Sequence, residues 1–139
     1  MFYVLAMTEQ LKRIADTLGV DKIQRHIFLC CDQTKPKCSD KEVSLVSCEF
    51  LKRRLEELKL TGAGGVYRTK ANCLRICEGG PIAVVYPEGT WYQGMTAERI
   101  PLFVQQHLIE GKPVEEWIFA RNQLPNEEVP EAQVNETAR

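Results

Sequence analysis

Residues 68–89 read "RTKANCLRICEGGPIAVVYPEG". Three residues separate Cys73 from Cys77, and Gly79, Gly80 and Pro81 follow them. Beyond the proline, "PIAVVYP" is apolar throughout, which predicts a strand covered on both faces. "EGT" then makes a tight turn into "WYQGM", a further strand, so the two form a hairpin. On the other side, "GVYRTKANC" reads as a strand that runs into the first cysteine. The stretch therefore passes from a strand, through a two-cysteine loop, into a hairpin. Its cysteines admit four readings: a redox disulfide, a zinc clamp, half of an iron–sulfur site, or core residues.

Working outward, "RHIFLCC" (25–31) is a short apolar run before the polar loop "DQTKPKCSD", and predicts a buried strand. "EVSLVSCEFLKRRLEELKL" is the strongest helical pattern, with Val43, Phe50, Leu51, Leu55 and Leu58 as its apolar stripe. "TGAGG" ends it, a glycine taking the left-handed position. "TAERIPLFVQQHLIEGK" predicts a second helix, capped by Thr96 and stopped by Gly111 and Pro113, with Leu102, Phe103, Gln106 and Ile109 on one side. Pro101 marks a kink or a tighter start, and "PVEEWIFA" adds an extended segment. Ahead of all this, "TEQLKRIADTL" predicts a helix capped at Thr8, with Leu11, Ile14, Ala15 and Leu18 on one stripe. The order β-α-β-β-β-α implies an α/β or α+β sandwich, a small mixed sheet flanked by helices. The strands on either side of the first of those helices should be parallel, joined by a right-handed crossover.

Length and composition bound the function. At 139 residues the chain suits one domain and buries a core without metal or disulfide staples, so six cysteines call for another explanation. Eighteen basic and nineteen acidic residues give a net charge of −1, with none of the basic excess that marks nucleic-acid binding. No apolar run is long enough for a membrane span. "MFYVLAM" lacks the charged region and cleavage pattern of a signal peptide, so the expected compartment is the reducing cytoplasm. The expected organisation is an N-terminal, partly helical extension (1–23), the folded domain (24–120) and a polar, disordered tail (121–139).

Parallel neighbouring strands bring two distant cysteine groups to one edge of the sheet. Cys30 and Cys31 end the first strand, Cys38 lies in the next loop, and Cys73 and Cys77 follow the second strand. Successive strand residues point to opposite faces, so one of Cys30 and Cys31 ligates. Cys48 falls on the apolar stripe of its helix and reads as a small core residue. Zinc sites use spacings of two to four residues, but here only one pair is tight. A thioredoxin-type disulfide requires C-x-x-C, and Cys73–Cys77 has one residue more. His26 and His107 read as ordinary structural or surface residues.

The neighbours of these cysteines suit an anionic iron–sulfur cluster. Lys35, Lys37, Arg68, Lys70 and Arg75 share the same loops, and nearby cations favour the reduced form. Gly79 and Gly80 let the backbone approach sulfur closely enough to donate hydrogen bonds. Plain loop composition and four unrelated cysteines are the competing explanation.

"HIFLCC…C", "TKANCLRICEGGPIAVVYPEGTWY" and "IPLFVQQHLIEGKPVEEWIF" resemble the thioredoxin-like [2Fe–2S] ferredoxins across residues 24–120. The resemblance implies a thioredoxin-like fold, one [2Fe–2S] cluster near the surface, one-electron transfer without enzymatic chemistry, and a homodimer. Carried over by position, it implies Cys30, Cys38, Cys73 and Cys77 as ligands, with Cys31 as rival to Cys30. Arg75, Lys37, Arg68, Lys70, Gly79 and Gly80 then form the cluster's environment. Leu74 and Ile76 shield it, and Trp91 and Tyr92 line a docking or dimer face or serve as structural aromatics. Donor and acceptor are redox proteins the sequence does not identify. The rival functions are a zinc-binding interaction module and a thiol sensor using Cys73 and Cys77.

Overall fold

A computed structural model describes residues 2–124. Five strands form one mixed sheet: β1 (Arg25–Cys30), β2 (Val66–Ala71), β3 (Ala83–Tyr86), β4 (Thr90–Tyr92) and β5 (Ile118–Arg121), in the order β2-β1-β3-β4-β5. β1 and β2 are parallel, with Cys30 opposite Ala71, and the remaining neighbours are antiparallel. The parallel pair flanks α2 (Lys41–Glu57), as the crossover argument requires. The mixed sheet and its helices give the expected thioredoxin-like α/β architecture.

The core lies on one face of that sheet. Ile27 and Leu29 of β1, Val85 of β3 and Tyr92 of β4 meet Leu51 and Leu55 of α2 there. Phe103, Val104 and Leu108 close it from α3 (Ile100–Phe103) and the π-helical Val104–Ile109 that continues it. All of β3 except Tyr86 is buried, as its apolar run implied. The opposite face carries His26, Phe28, Tyr67 and Trp91, all half-buried.

Two stripes turned out rotated. On α2 the buried residues are Ser44, Ser47, Cys48, Leu51 and Leu55, whereas Val43 is exposed. The serines can be buried because both are satisfied: Ser47 donates to the Met95 carbonyl (2.5 Å), and Ser44 Oγ lies 2.9 Å from Gln33 Oε1. On α3 and its extension the inward set is Ile100, Phe103, Val104, His107 and Leu108, while Leu102 and Ile109 face solvent. That helix begins at Ile100 beside Pro101, after Thr96 has closed a turn with Arg99 N–H (3.0 Å). The left-handed residue after α2 is Lys59 (φ 57°), ahead of the expected glycines, with Gly62 and Gly65 left-handed further on.

α1 (Phe2–Leu18) starts well before Thr8, whose hydroxyl donates to Val4 C=O inside the helix instead of capping it. Leu11, Ile14 and Leu18 are exposed and Ala15 is half-buried, so this helix extends from the sheet. No helix among the described residues is long and apolar enough to cross a membrane. Of the expected tail, residues 125–139 lie outside the described part, and residues 118–121 form β5.

His107 is fully buried and anchors a polar chain through the core. Tyr92 Oη accepts from Val114 N–H (3.0 Å) and so donates its own proton to His107 Nδ1 (2.6 Å). That leaves the imidazole proton on Nε2, which donates to Glu88 Oε1 (2.9 Å), and Arg25 donates to the same oxygen (3.2 Å). Burial pulls the imidazole below its ordinary 6.5, against the pull of Glu88. The unfolded chain therefore takes up its proton first, and stability falls as pH drops from 6.5 through the folded value. Denaturant melts at pH 7.5 and 5.5 should show this loss, and His107→Gln should reduce it. His26, also lowered by burial, supplies the remainder. An unchanged pH dependence in His107→Gln would assign the effect elsewhere.

Candidate metal centre

The ends of β1 and β2 lie side by side, so the loops that follow them face each other. Cys30, Cys38, Cys73 and Cys77 line one cleft between these loops, together with Gln33, Lys35, Lys37, Asn72 and Ile76. Cys30 and Cys38 form the buried wall, their sulfurs 3.3 Å apart. Cys73 and Cys77 form the exposed wall. The four thiols stand in two groups: among the described residues no three His, Cys, Asp or Glu side chains gather on a single-ion position.

Cys30 and Cys31 lie on opposite sides, as strand alternation requires. Cys30 faces the cleft, whereas Cys31 joins the main core beside Cys48. Contact with the Cys48 thiol, and then burial, push the Cys31 thiol up, so it remains a protonated core group. Cys48 is buried in that same core, as its place on the helix implied.

Each loop supplies donors to sulfur. Gln33 is 2 % exposed, and its Nε2 lies 3.4 Å from both Cys30 Sγ and Cys38 Sγ. Its two N–H bonds can thus serve one sulfur each, while Ser44 holds its carbonyl end. Arg75 takes a positive φ of 72° between the exposed cysteines, and its N–H donates to Cys73 Sγ (3.3 Å). Burial and the adjacent Cys38 thiol push the Cys30 thiol up, with the Gln33 amide opposing. The buried Cys30 thiol therefore does not ionise readily on its own; a bound cationic group would draw off its proton.

The two loops are stapled together. Asn72 Oδ1 accepts from Thr34 N–H (2.8 Å), and Asn72 Nδ2 donates to Thr34 Oγ1 (2.9 Å). At the rear, Gly80 N–H donates to Cys38 C=O (2.8 Å). A Cβ on Gly80 would lie 2.7 Å from Cys38 Sγ, so the backbone does come close to this sulfur, but the Gly80 N–H goes to the Cys38 carbonyl and not to the sulfur as expected. Gly79 meets nothing within 4 Å and serves instead by its left-handed φ of 72°. Leu74, Ile76 and Trp91 pack against a small apolar cluster of Cys30, Cys38 and Ile82. Trp91 thus packs beside the buried cysteine pair, and Tyr92 is a core residue with no exposure.

The cations divide. Lys35 and Lys37 line the cleft, and Arg75 is exposed at its rim. Lys70 is turned to Asp32, 3.4 Å away, and Arg68 lines a separate groove with Thr17, Leu18 and Tyr67. Arg68 thus does not line the cysteine cleft, because its position in β2 is three residues short of the strand end. Gln33, Asn72 and Ser44 were not singled out by sequence; only the spacing of Gln33 between two cysteines hinted at its place.

A thioredoxin-like sheet whose β1 and β2 ends present four cysteines in one cleft defines a class of protein, and comparison narrows it. No family model matches the chain. It is 34 % identical over 96 residues to a protein of Clostridium pasteurianum named "Ferredoxin, 2Fe-2S", covering 66 % of this chain and 91 % of that one. It is 27 % identical over 106 residues to a protein of the same name from Aquifex aeolicus (strain VF5), covering 73 % and 94 %. The solved thioredoxin-like [2Fe–2S] ferredoxin from Aquifex aeolicus superposes with a TM-score of 0.61 at 25 % identity, covering 75 % of this chain and 97 % of that one. The chain belongs to the [2Fe–2S] ferredoxin family.

Proposed function

We propose that this protein is a one-electron carrier whose [2Fe–2S] cluster is held by Cys30 and Cys38 on the buried wall and Cys73 and Cys77 on the exposed wall. The observation that carries the assignment is their shared cleft, from which Cys31 and Cys48 are turned away. The residues fit such a group: four sulfurs in two groups, two donors already aimed at them, and a glycine where a side chain would collide. When bound, the cluster supplies a one-electron couple. The chain's own part is to hold the ligands in place, exclude water with Leu74, Ile76 and Trp91, and stabilise added negative charge with N–H donors and nearby cations. It makes and breaks no bond in a substrate. All six cysteines are free, which suits a reducing, cytoplasmic setting. The half-buried aromatic face of the sheet supports a homodimer, for which sedimentation is the test.

Gln33 gives this reading a quantitative test. Removing its donors by Gln33→Leu should lower the reduction potential, because two N–H···S bonds favour the more negative, reduced form. A loss of about tenfold in the reduced-to-oxidised ratio is about 59 mV for a one-electron couple. An unmoved potential at full iron content would remove Gln33 from the ligand environment.

A further inference from the structure

We propose that α1 is a self-association helix, whose exposed apolar seam pairs with the same seam on a second copy of this chain. Val4, Met7, Leu11, Ile14 and Leu18 follow one another at steps of three, four, three and four residues. That is the a/d spacing of a coiled coil, narrower than the stripe of a helix laid on a globular core. All five are between 41 % and 62 % exposed, so no element among the described residues covers them. The helix rests on the domain chiefly at the turns Val20–Lys22 and Gly62–Gly64, where Thr17 and Leu18 of its last turn border a groove with Thr61 and Gly62. The rest of the seam runs outward from there.

The flanks of the seam determine what lies on it. The positions beside it hold Thr8, Gln10, Ala15 and Thr17, none of them charged. Glu9, Lys12, Arg13 and Asp16 all fall on the outer face. Two identical helices therefore meet without setting like charges against each other. Two acids and two bases leave the outer face neutral, unlike the Lys- and Arg-rich face of a helix that lies on a membrane. The C-terminal residues 125–139 are a poor match, since apart from prolines their apolar side chains are Val129, Ala132, Val134 and Ala138. The inward side chains of α2, and of α3 with its extension, are already spent on the core. Among the described helices, the matching surface for an α1 seam is another α1. A half-exposed aliphatic side chain leaves about 100 Å² in water, so pairing two seams removes up to about 1,000 Å², the lower bound of a specific interface. Such a contact forms and dissociates with protein concentration.

Sedimentation equilibrium of the full chain over a dilution series reads the contact. At high concentration the wild-type mass should reach about twice that of the double variant Leu11→Ala, Ile14→Ala. Alanine is the strongest helix former, so the loss does not come from a broken helix, and unchanged far-UV circular dichroism checks this. Lys12→Gln, Asp16→Asn, on the outer face, should keep the wild-type mass. Raising the salt should not lower it, because no charges meet at the seam. A dimer held by the aromatic sheet face persists in both variants, so the twofold step reports on α1 whether or not that face pairs. Iron content plays no part, so the cluster reading stands or falls separately. Equal masses for wild type and Leu11→Ala, Ile14→Ala at every concentration would overturn the proposal. So would an equal loss in the outer-face variant. Flotation of the wild type with phosphatidylcholine–phosphatidylglycerol vesicles, at a mass that α1 does not change, would overturn it in favour of a lipid surface.

Discussion

Serine at Cys30, Cys38, Cys73 or Cys77 should strip the visible absorption of the purified protein or shift it strongly, with iron content falling alongside. Serine at Cys31 or Cys48 should leave the spectrum nearly as it was. The contrast between adjacent residues is the sharpest part of this expectation. Cys30 lies in the cleft, 3.3 Å from Cys38 Sγ, whereas Cys31 packs in the main core at 1 % exposure. Cys31→Ser should therefore cost stability, on the order of 1–3 kcal/mol for a hydroxyl in an apolar site, and no iron. Absorption kept in Cys30→Ser and lost in Cys31→Ser would reverse the assignment.

Gly80→Ala should have the second largest effect. Its added methyl would lie 2.7 Å from Cys38 Sγ, 2.8 Å from Cys38 Cβ and 3.0 Å from Cys38 C=O, and moving the sulfur alone would leave the Cβ and carbonyl contacts in place. Either the Cys38 loop shifts or the Gly80 strand approach opens, and the 2.8 Å hydrogen bond between them suffers in both cases. Overpacking of this kind costs about 1–3 kcal/mol. It moves a ligand as well, so iron bound per chain should fall after reconstitution. Gly79→Ala is the control, for nothing lies within 4 Å of its Cβ position. It should lose only the stability that its left-handed φ demands, with iron retained. Equal iron content in both variants would mean that the Gly80 contact does not position Cys38.

The sequence shows the parallel pairing of β1 with β2 because a strand, an amphipathic helix and a second strand leave few other arrangements. From that pairing the convergence of the two cysteine loops followed. The helix faces were harder to read. Ser44, Ser47 and His107 occupy inward positions that a search for apolar residues passes over, and each has a polar partner outside its own helix. Ile100, Phe103, Val104, His107 and Leu108 do keep helical spacing once a histidine is allowed on the stripe. Arg68 shows the opposite error, since nearness in sequence to Cys73 places it in β2 and not at the site. Gln33 was missed for a related reason. A glutamine in a polar loop looks like a solvated residue until the buried Cys30–Cys38 pair is seen on one side of it and Ser44 on the other.

Anaerobic purification, followed by iron and acid-labile sulfide analysis and EPR before and after dithionite, tests the central claim most directly. The account predicts a coloured protein with iron and sulfide in equal amounts, two of each per chain as the family's [2Fe–2S] group requires. It also predicts a rhombic signal that appears on one-electron reduction. A colourless protein with stoichiometric zinc and neither iron nor sulfide would contradict it.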